Sequence, residues 1–153
     1  MNKPETIIEG KNYLRENFST GVGCPCCGQF VKQYKRKLNS NQAWCLISLV
    51  KLYRQEARFF HINEIGTPAG GGDFAKLRYW KLIEEKKHKG SDKRTSGFWI
   101  PTEFGIDFVN DMVRVYKHVF IFNGKVTGWS DESTNIIEAL GDKFNYIELM
   151  QNK

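Results

Sequence analysis

The chain has 153 residues, of which 41% are hydrophobic, 26% charged and 14% aromatic, and a formal net charge of +6. That is the composition of a soluble globular fold, and roughly 70% surface burial at this length leaves room for a core without disulfide staples. No run approaches the roughly 20 apolar residues of a membrane span, because Ser48 and Lys51 interrupt the Ala43–Val50 stretch, and the polar Met1–Lys11 segment lacks a signal-peptide core, so a cytoplasmic protein with no membrane partner is expected.

The charge is unevenly spread. Residues 1–30 are neutral, residues 31–96 carry fifteen Lys/Arg against six Asp/Glu, and residues 97–153 carry five against eight. A concentrated basic segment is the footprint of a surface that meets phosphate, with DNA first and RNA second among the partners it suits.

Near the N-terminus, Cys24-Pro25-Cys26-Cys27-Gly28 has the form of a metal knuckle rather than a disulfide framework. Proline and glycine fold such a turn so that Cys24 and Cys27 face one point, which suits zinc as a cofactor. The sequence has no second C-x-x-C, so a histidine, Cys26 or a second protomer must complete the site; a bare reduced turn is the alternative. Cys45, within Trp44-Cys45-Leu46-Ile47, reads as a buried thiol in a helix.

The stretch Phe30–Leu38 is basic with interleaved aromatics, and Lys32, Lys35, Arg36 and Lys37 with Tyr34 form a strand or an arm. Asn39, Ser40 and Asn41 offer N-caps for a largely buried helix carrying Trp44, Ile47, Val50 and Tyr53 at helical spacing. Arg58–Ile62 reads as a short strand and Asn63–Gly66 as at most one helical turn. Thr67–Gly72 is a break, open to a phosphate cradle but lacking the G-x-G-x-x-G and P-loop patterns, which leaves a tight connection.

The segment Asp73–Lys81 places Phe74, Leu77 and Trp80 inward and Lys76, Arg78 and Tyr79 outward on an amphipathic helix. Leu82–Lys86 and Gly97–Pro101 then read as a hairpin whose polar tip carries Lys87, Lys89, Lys93 and Arg94 beside Lys86. Thr102 caps a further helix with Phe104, Phe108, Met112 and Val115 as its inward stripe. Asn123-Gly124 between two apolar runs signals a type I′ hairpin, followed by a short helix capped by Ser130 or Ser133 and ended by Gly141; Phe144–Met150 is open between strand and helix.

The order helix, strand, short helix, helix, hairpin, helix resembles the winged helix-turn-helix, in particular its MarR-like branch, over roughly Asn41–Tyr116. Leu77-Arg78-Tyr79-Trp80-Lys81-Leu82-Ile83-Glu84 looks like that family's helix end running into Leu-Ile-Glu, and Ile100-Pro101-Thr102-Glu103-Phe104-Gly105 like its strand running into Leu-Thr-x-x-Gly. Lys81 replaces the family's usual small residue, and the second helix is short. The resemblance implies an α+β chain with an N-terminal segment (1–40) bearing the knuckle and basic arm, a winged-helix domain (41–116) and a C-terminal hairpin-helix extension (117–153) packed on it.

It also implies that Lys76, Arg78 and Tyr79 enter a DNA groove, that Lys86, Lys87, Lys89, Lys93 and Arg94 form the wing, and that Lys35, Arg36 and Lys37 add an arm. With its Cys-Pro-x-Cys-Gly opening, the chain is similar to small uncharacterised proteins of phages and mobile elements, which implies the host cytosol. Two functions follow as expectations: duplex-DNA binding in transcriptional control, or inhibition of a host defence complex in the manner of an anti-CRISPR, by protein or RNA binding. The C-terminal extension offers a contact for a host protein or for a homodimer. No G-x-S-x-G or H-E-x-x-H pattern is present and His61, His88 and His118 are far apart in sequence, so the expectation is a protein that is not an enzyme.

Overall fold

The computed structural model describes residues 6–17, 21–66, 71–87 and 97–151. In chain order these form helix α1 (Ile7–Asn17), strands β1 (Val22–Gly23), β2 (Phe30–Val31) and β3 (Tyr34–Lys37), helix α2 (Ser40–Gln55), strand β4 (Phe60–His61), and helices α3 (Ile62–Ile65) and α4 (Gly71–Ala75). A 3-10 stretch, Lys76–Trp80, continues α4 and leads to strands β5 (Ile83–Glu85) and β6 (Phe98–Pro101) and helix α5 (Glu103–Val109). Strands β7 (Val115–Tyr116), β8 (His118–Phe122), β9 (Lys125–Trp129) and β10 (Ser133–Thr134) follow, then helices α6 (Ile136–Leu140) and α7 (Tyr146–Gln151). The class is α+β, with small antiparallel sheets. Among the described residues no helix is long and apolar enough to cross a membrane.

The chain divides into two compact units: residues 1–36 with 119–129, and residues 37–118 with 130–153. The segment expected as one C-terminal extension is therefore split. Its hairpin groups with the N-terminal residues, and the remainder groups with the central elements.

In the larger unit, α2 begins with a reciprocal cap. Asn39 Oδ1 accepts the Gln42 N–H at 2.8 Å, and Gln42 Oε1 accepts the Asn39 N–H at 2.9 Å. The helix then buries Ala43, Cys45, Leu46, Ile47, Leu49 and Val50, side chains spread over just more than half of its circumference. Each large aliphatic among them contributes roughly 1.5–3 kcal/mol of transfer free energy. Polar groups on the same helix hold the next elements: Gln42 Nε2 donates to the Asp73 carbonyl at 2.7 Å, and Ser48 Oγ to the Ile65 carbonyl at 2.8 Å.

Strands β4, β6 and β5 form a three-stranded sheet in that spatial order, with Phe60 opposite Trp99 and Ile83 opposite Pro101. The Phe74 ring meets Trp99 edge-on at 5.7 Å, which ties α4 to the central strand. The one-turn helix after β4 starts at Ile62, one residue earlier than expected, because His61 caps it: its Nδ1 accepts the Asn63 N–H at 3.1 Å while Glu64 accepts the His61 N–H at 2.8 Å.

Two sequence expectations fail in this unit. The helix capped by Thr102 stops at Val109, followed by Asn110 as C-cap and Asp111 at φ 59°. Its inward residues are Gly105, Phe108 and Val109, whereas Phe104 and Met112 are 40% and 71% exposed and Val115 lies in β7. The reason is Gly105, where the Leu82 carbonyl occupies the space of a side chain, so the helix turns its glycine rather than Phe104 to the strand. The helix before Gly141 is capped by Asn135, whose Oδ1 accepts the Glu138 N–H at 2.7 Å. Ser133 pairs in β10, and Ser130 Oγ accepts the His118 N–H at 3.1 Å.

In the smaller unit, β1 and β2 form a hairpin, and β8 lies between β3 and β9 in a second sheet. Asn123 (φ 51°) and Gly124 (φ 74°) provide the two left-handed residues that a type I′ turn needs. Helix α1, in the segment read above only as polar, leaves Ile7 and Ile8 exposed. The tip of the β5–β6 connection, residues 88–96, lies outside the described residues, as do residues 67–70 of the expected glycine-rich break.

Gly105→Ala is expected to lower stability by about 1–3 kcal/mol, since a methyl group there overlaps a backbone carbonyl that cannot swing aside. Gln42→Ala is expected to cost a similar amount, about 1–3 kcal/mol, by stripping the Asp73 carbonyl and the Asn39 N–H of their partner. Urea unfolding of both variants checks the two values.

Candidate nucleic-acid interface

The expected groove helix is built on a spacing of three. Phe74, Leu77 and Trp80 are buried at i, i+3 and i+6, a straight stripe in a 3-10 helix, and the backbone adopts that form from Lys76 to Trp80. Trp80 Nε1 donates to the Tyr116 carbonyl at 2.7 Å and fixes the end of the stretch. Lys81 then takes a left-handed conformation, φ 59° and ψ 29°, with its N–H donated to the Arg78 carbonyl at 3.0 Å. A small residue suits that backbone best; here an exposed lysine occupies it.

The outward side chains differ in how free their charges are. Lys76 is half-buried and its Nζ lies 3.2 Å from Asp73 Oδ1, so part of its charge is already matched. Arg78 is exposed; its guanidinium sits 5.0 Å from the centre of the half-buried Tyr79 ring, and Nη2 donates to the Tyr79 hydroxyl at 3.5 Å. Among the described residues no carboxylate pairs with Arg78, Lys81, Lys86 or Lys87.

Three other cations of this unit are paired with carboxylates. Arg58 bridges Glu56 at 3.0 Å and Glu64 at 2.9 Å, Arg114 meets Glu138 at 2.9 Å, and Lys117 meets Glu132 at 3.5 Å. Hydrogen bonds from Arg58, with the His61 N–H second, hold the Glu64 carboxyl at about 2, well below its ordinary value. His61 is thus a capping residue packed against Phe98, with ring centres 5.0 Å apart.

At the root of the β5–β6 connection, the Lys86 N–H donates to the Phe98 carbonyl at 2.9 Å and extends the β5–β6 ladder, while its ammonium lies 5.7 Å from the Phe98 ring centre. Lys87 is exposed. Lys89, Lys93 and Arg94, the remaining wing candidates, and His88 lie outside the described residues. Lys81 was not enlisted from sequence, where it stood out only as a departure from a motif. Its place between Arg78 and the strand that precedes Lys86 is the available signal.

The basic arm is a strand. All four residues of β3 are exposed, and alternation sends Tyr34 and Arg36 to one face and Lys35 and Lys37 to the other. Lys32 and Arg36 lie 5.7 and 5.1 Å from the Tyr34 ring centre, and Lys35 lies 5.9 Å from that of Phe120. This cluster belongs chiefly to the smaller unit, so the structure groups Lys76, Arg78 and Tyr79 with Lys86 and Lys87 but not with Lys35 and Arg36.

The cysteines fall into two environments. Cys45 is buried in α2, and desolvation, helped by the charge of Asp73, pushes its thiol up to about 12. Cys24 is half-buried, while Cys26 and Cys27 are exposed. Backbone N–H groups of Cys26 and Cys27, aided by their thiols, lower the Cys24 pKa from its usual value. Among the described residues no three His, Cys, Asp or Glu side chains are grouped to hold a metal ion.

Against known family models, curated proteins and solved structures, the chain finds no match.

A thiol titration of the reduced, metal-free native chain is expected to count three reactive cysteines, with Cys45 reacting only after denaturation. Four fast thiols at neutral pH contradict the packing assigned to Cys45.

Proposed function

We propose that residues 40–109 act as a winged-helix module that binds duplex DNA, with α4 and its 3-10 continuation toward the major groove and the β5–β6 connection toward the neighbouring backbone. The observation that carries this reading is the coincidence of element order and charge. Helix α2, strand β4, the one-turn α3, helix α4 and the β5–β6 hairpin follow one another, with β6 between β4 and β5. Arg78, Lys81, Lys86 and Lys87, none of which has a carboxylate partner among the described residues, sit on the helix end and hairpin that such a module turns to nucleic acid.

The division of labour follows from side-chain chemistry. Arg78 has a planar fork of donors, which suits a guanine edge or a phosphate, and its packing over Tyr79 restricts the geometries it must give up on binding. Lys81, Lys86 and Lys87 are point charges on flexible stems, suited to backbone phosphates. Lys76 contributes less, because approaching phosphate must compete with Asp73. Transcriptional control is the use such a module most simply serves.

Anisotropy on labelled duplex DNA across a salt series tests the reading. Arg78→Glu is expected to weaken binding about tenfold or more, and Lys76→Glu by less. Removing both Lys86 and Lys87 as alanines is expected to reduce the slope of log affinity against log salt by about 2. Parental affinity in the Arg78 and the double-lysine variants alike defeats this docking.

A further inference from the structure

The knuckle hairpin of the smaller unit is closed by its own backbone. The Cys24 N–H donates to the Gln29 carbonyl at 2.7 Å, the Gly28 N–H donates to the Cys24 carbonyl at 2.8 Å, and Gly28 takes φ 76° as the turn requires. Strands β1 and β2 flank it, with Val22 opposite Val31 and Gly23 opposite Phe30. These backbone bonds hold Cys24 and Cys27, three residues apart, in one tight turn, with Cys24 half-buried and Cys27 exposed.

Two cysteines at i and i+3 of a turn closed by its own backbone supply soft thiolate ligands of the kind that zinc takes. Two sulfurs are half of a tetrahedral shell. The exposure of Cys27 and its neighbour Cys26 places the open half at the protein surface.

We propose that two copies of this chain share one zinc ion, each contributing Cys24 and Cys27, so that a four-thiolate site forms between two knuckle hairpins. Two features fit the surroundings of the ion to a second copy. From Gly21 to Val31 the sequence contains no Lys, Arg, Asp or Glu, so two hairpins of a chain with net charge +6 meet without like-charge repulsion at the contact. Beside the thiols, Phe30 is 63% exposed and lies over Gly21, a glycine at φ 96° whose missing side chain leaves room for the ring. A second copy covers that ring, and the first covers its equivalent.

Binding moves no electrons. Four thiols lose their protons to solvent as four zinc–sulfur bonds form, leaving a site of charge −2. Cys26, between the two ligands in sequence, is not a ligand in this arrangement, and neither is His88. The inference does not depend on the DNA reading, and its test uses no nucleic acid.

The test is zinc titration of the reduced full-length chain, followed by light scattering on a sizing column, metal analysis and cobalt substitution. Expected are a doubling of mass on zinc addition, one zinc per two chains, reversal by a chelator, and the absorption of a tetrahedral four-thiolate cobalt site. Cys27→Ser should abolish both metal retention and dimerisation with an unchanged circular dichroism spectrum. Cys26→Ser and His88→Ala should behave as the parent, so loss of the dimer in either overturns the ligand assignment. One zinc per monomeric chain, a dimer that survives the chelator, or metal retained by Cys27→Ser overturns the proposal; so does the absence of any zinc binding.

Discussion

The larger unit depends on one buried carboxamide. Gln42 is 2% exposed on the inner side of α2, and its two ends are both used: the oxygen accepts the N–H that opens the helix and the nitrogen donates to the carbonyl of Asp73. A buried amide bonded at both its oxygen and its nitrogen adds direction to a core that apolar packing alone would leave free to slide. Here it couples the first turn of α2 to the first turn of α4. Ser48 repeats the device further along the helix, on the Ile65 carbonyl. The proposed groove helix is thus held by the same element that supplies the core.

That anchoring bears on the chemistry at the surface. The stretch Gly71–Trp80 is short and ends in 3-10 geometry, whose backbone hydrogen bonds are poorer than those of an α-helix. Its position is maintained from below by Phe74, Leu77 and Trp80, and at its end by the Tyr116 carbonyl. A stretch fixed by packing can present Arg78 and Lys81 without needing its own helical stability. Arg58, Arg114 and Lys117 are paired with carboxylates, whereas Arg78, Lys81, Lys86 and Lys87, close together in the chain, have no such partner among the described residues, a distribution that a total charge of +6 does not convey.

The smaller unit follows another logic. Its cysteine-bearing turn is held by short-range backbone hydrogen bonds and two glycine conformations, a construction that needs no large core. Helix α1 adds little burial there, with Gly10 its one buried residue. A shared metal ion would give this unit the cross-link that its apolar content does not provide.

Much of the local structure was legible in the sequence because the signals are local. Asn39, one of three cap candidates, Thr102, Asn123-Gly124 and Gly141 each act through backbone groups within four residues, so their chemistry dictates the cap or turn wherever it lies. The spacing of Phe74, Leu77 and Trp80 fixed which face is buried, and the residue types fixed which cations face out. Tertiary contacts decided the rest. The Leu82 carbonyl set the orientation of α5 by requiring a glycine beneath it, a demand that no periodicity in residues 103–115 records. Long-range pairing joined the hairpin 118–129 to the N-terminal residues, because a β-ladder can recruit a strand from anywhere in the chain. Which charges remain unmatched was likewise a tertiary outcome: Asp73 reaches Lys76 and Glu138 reaches Arg114 only once the backbone has folded, and an ion pair is a matter of distance in space, not of order along the sequence.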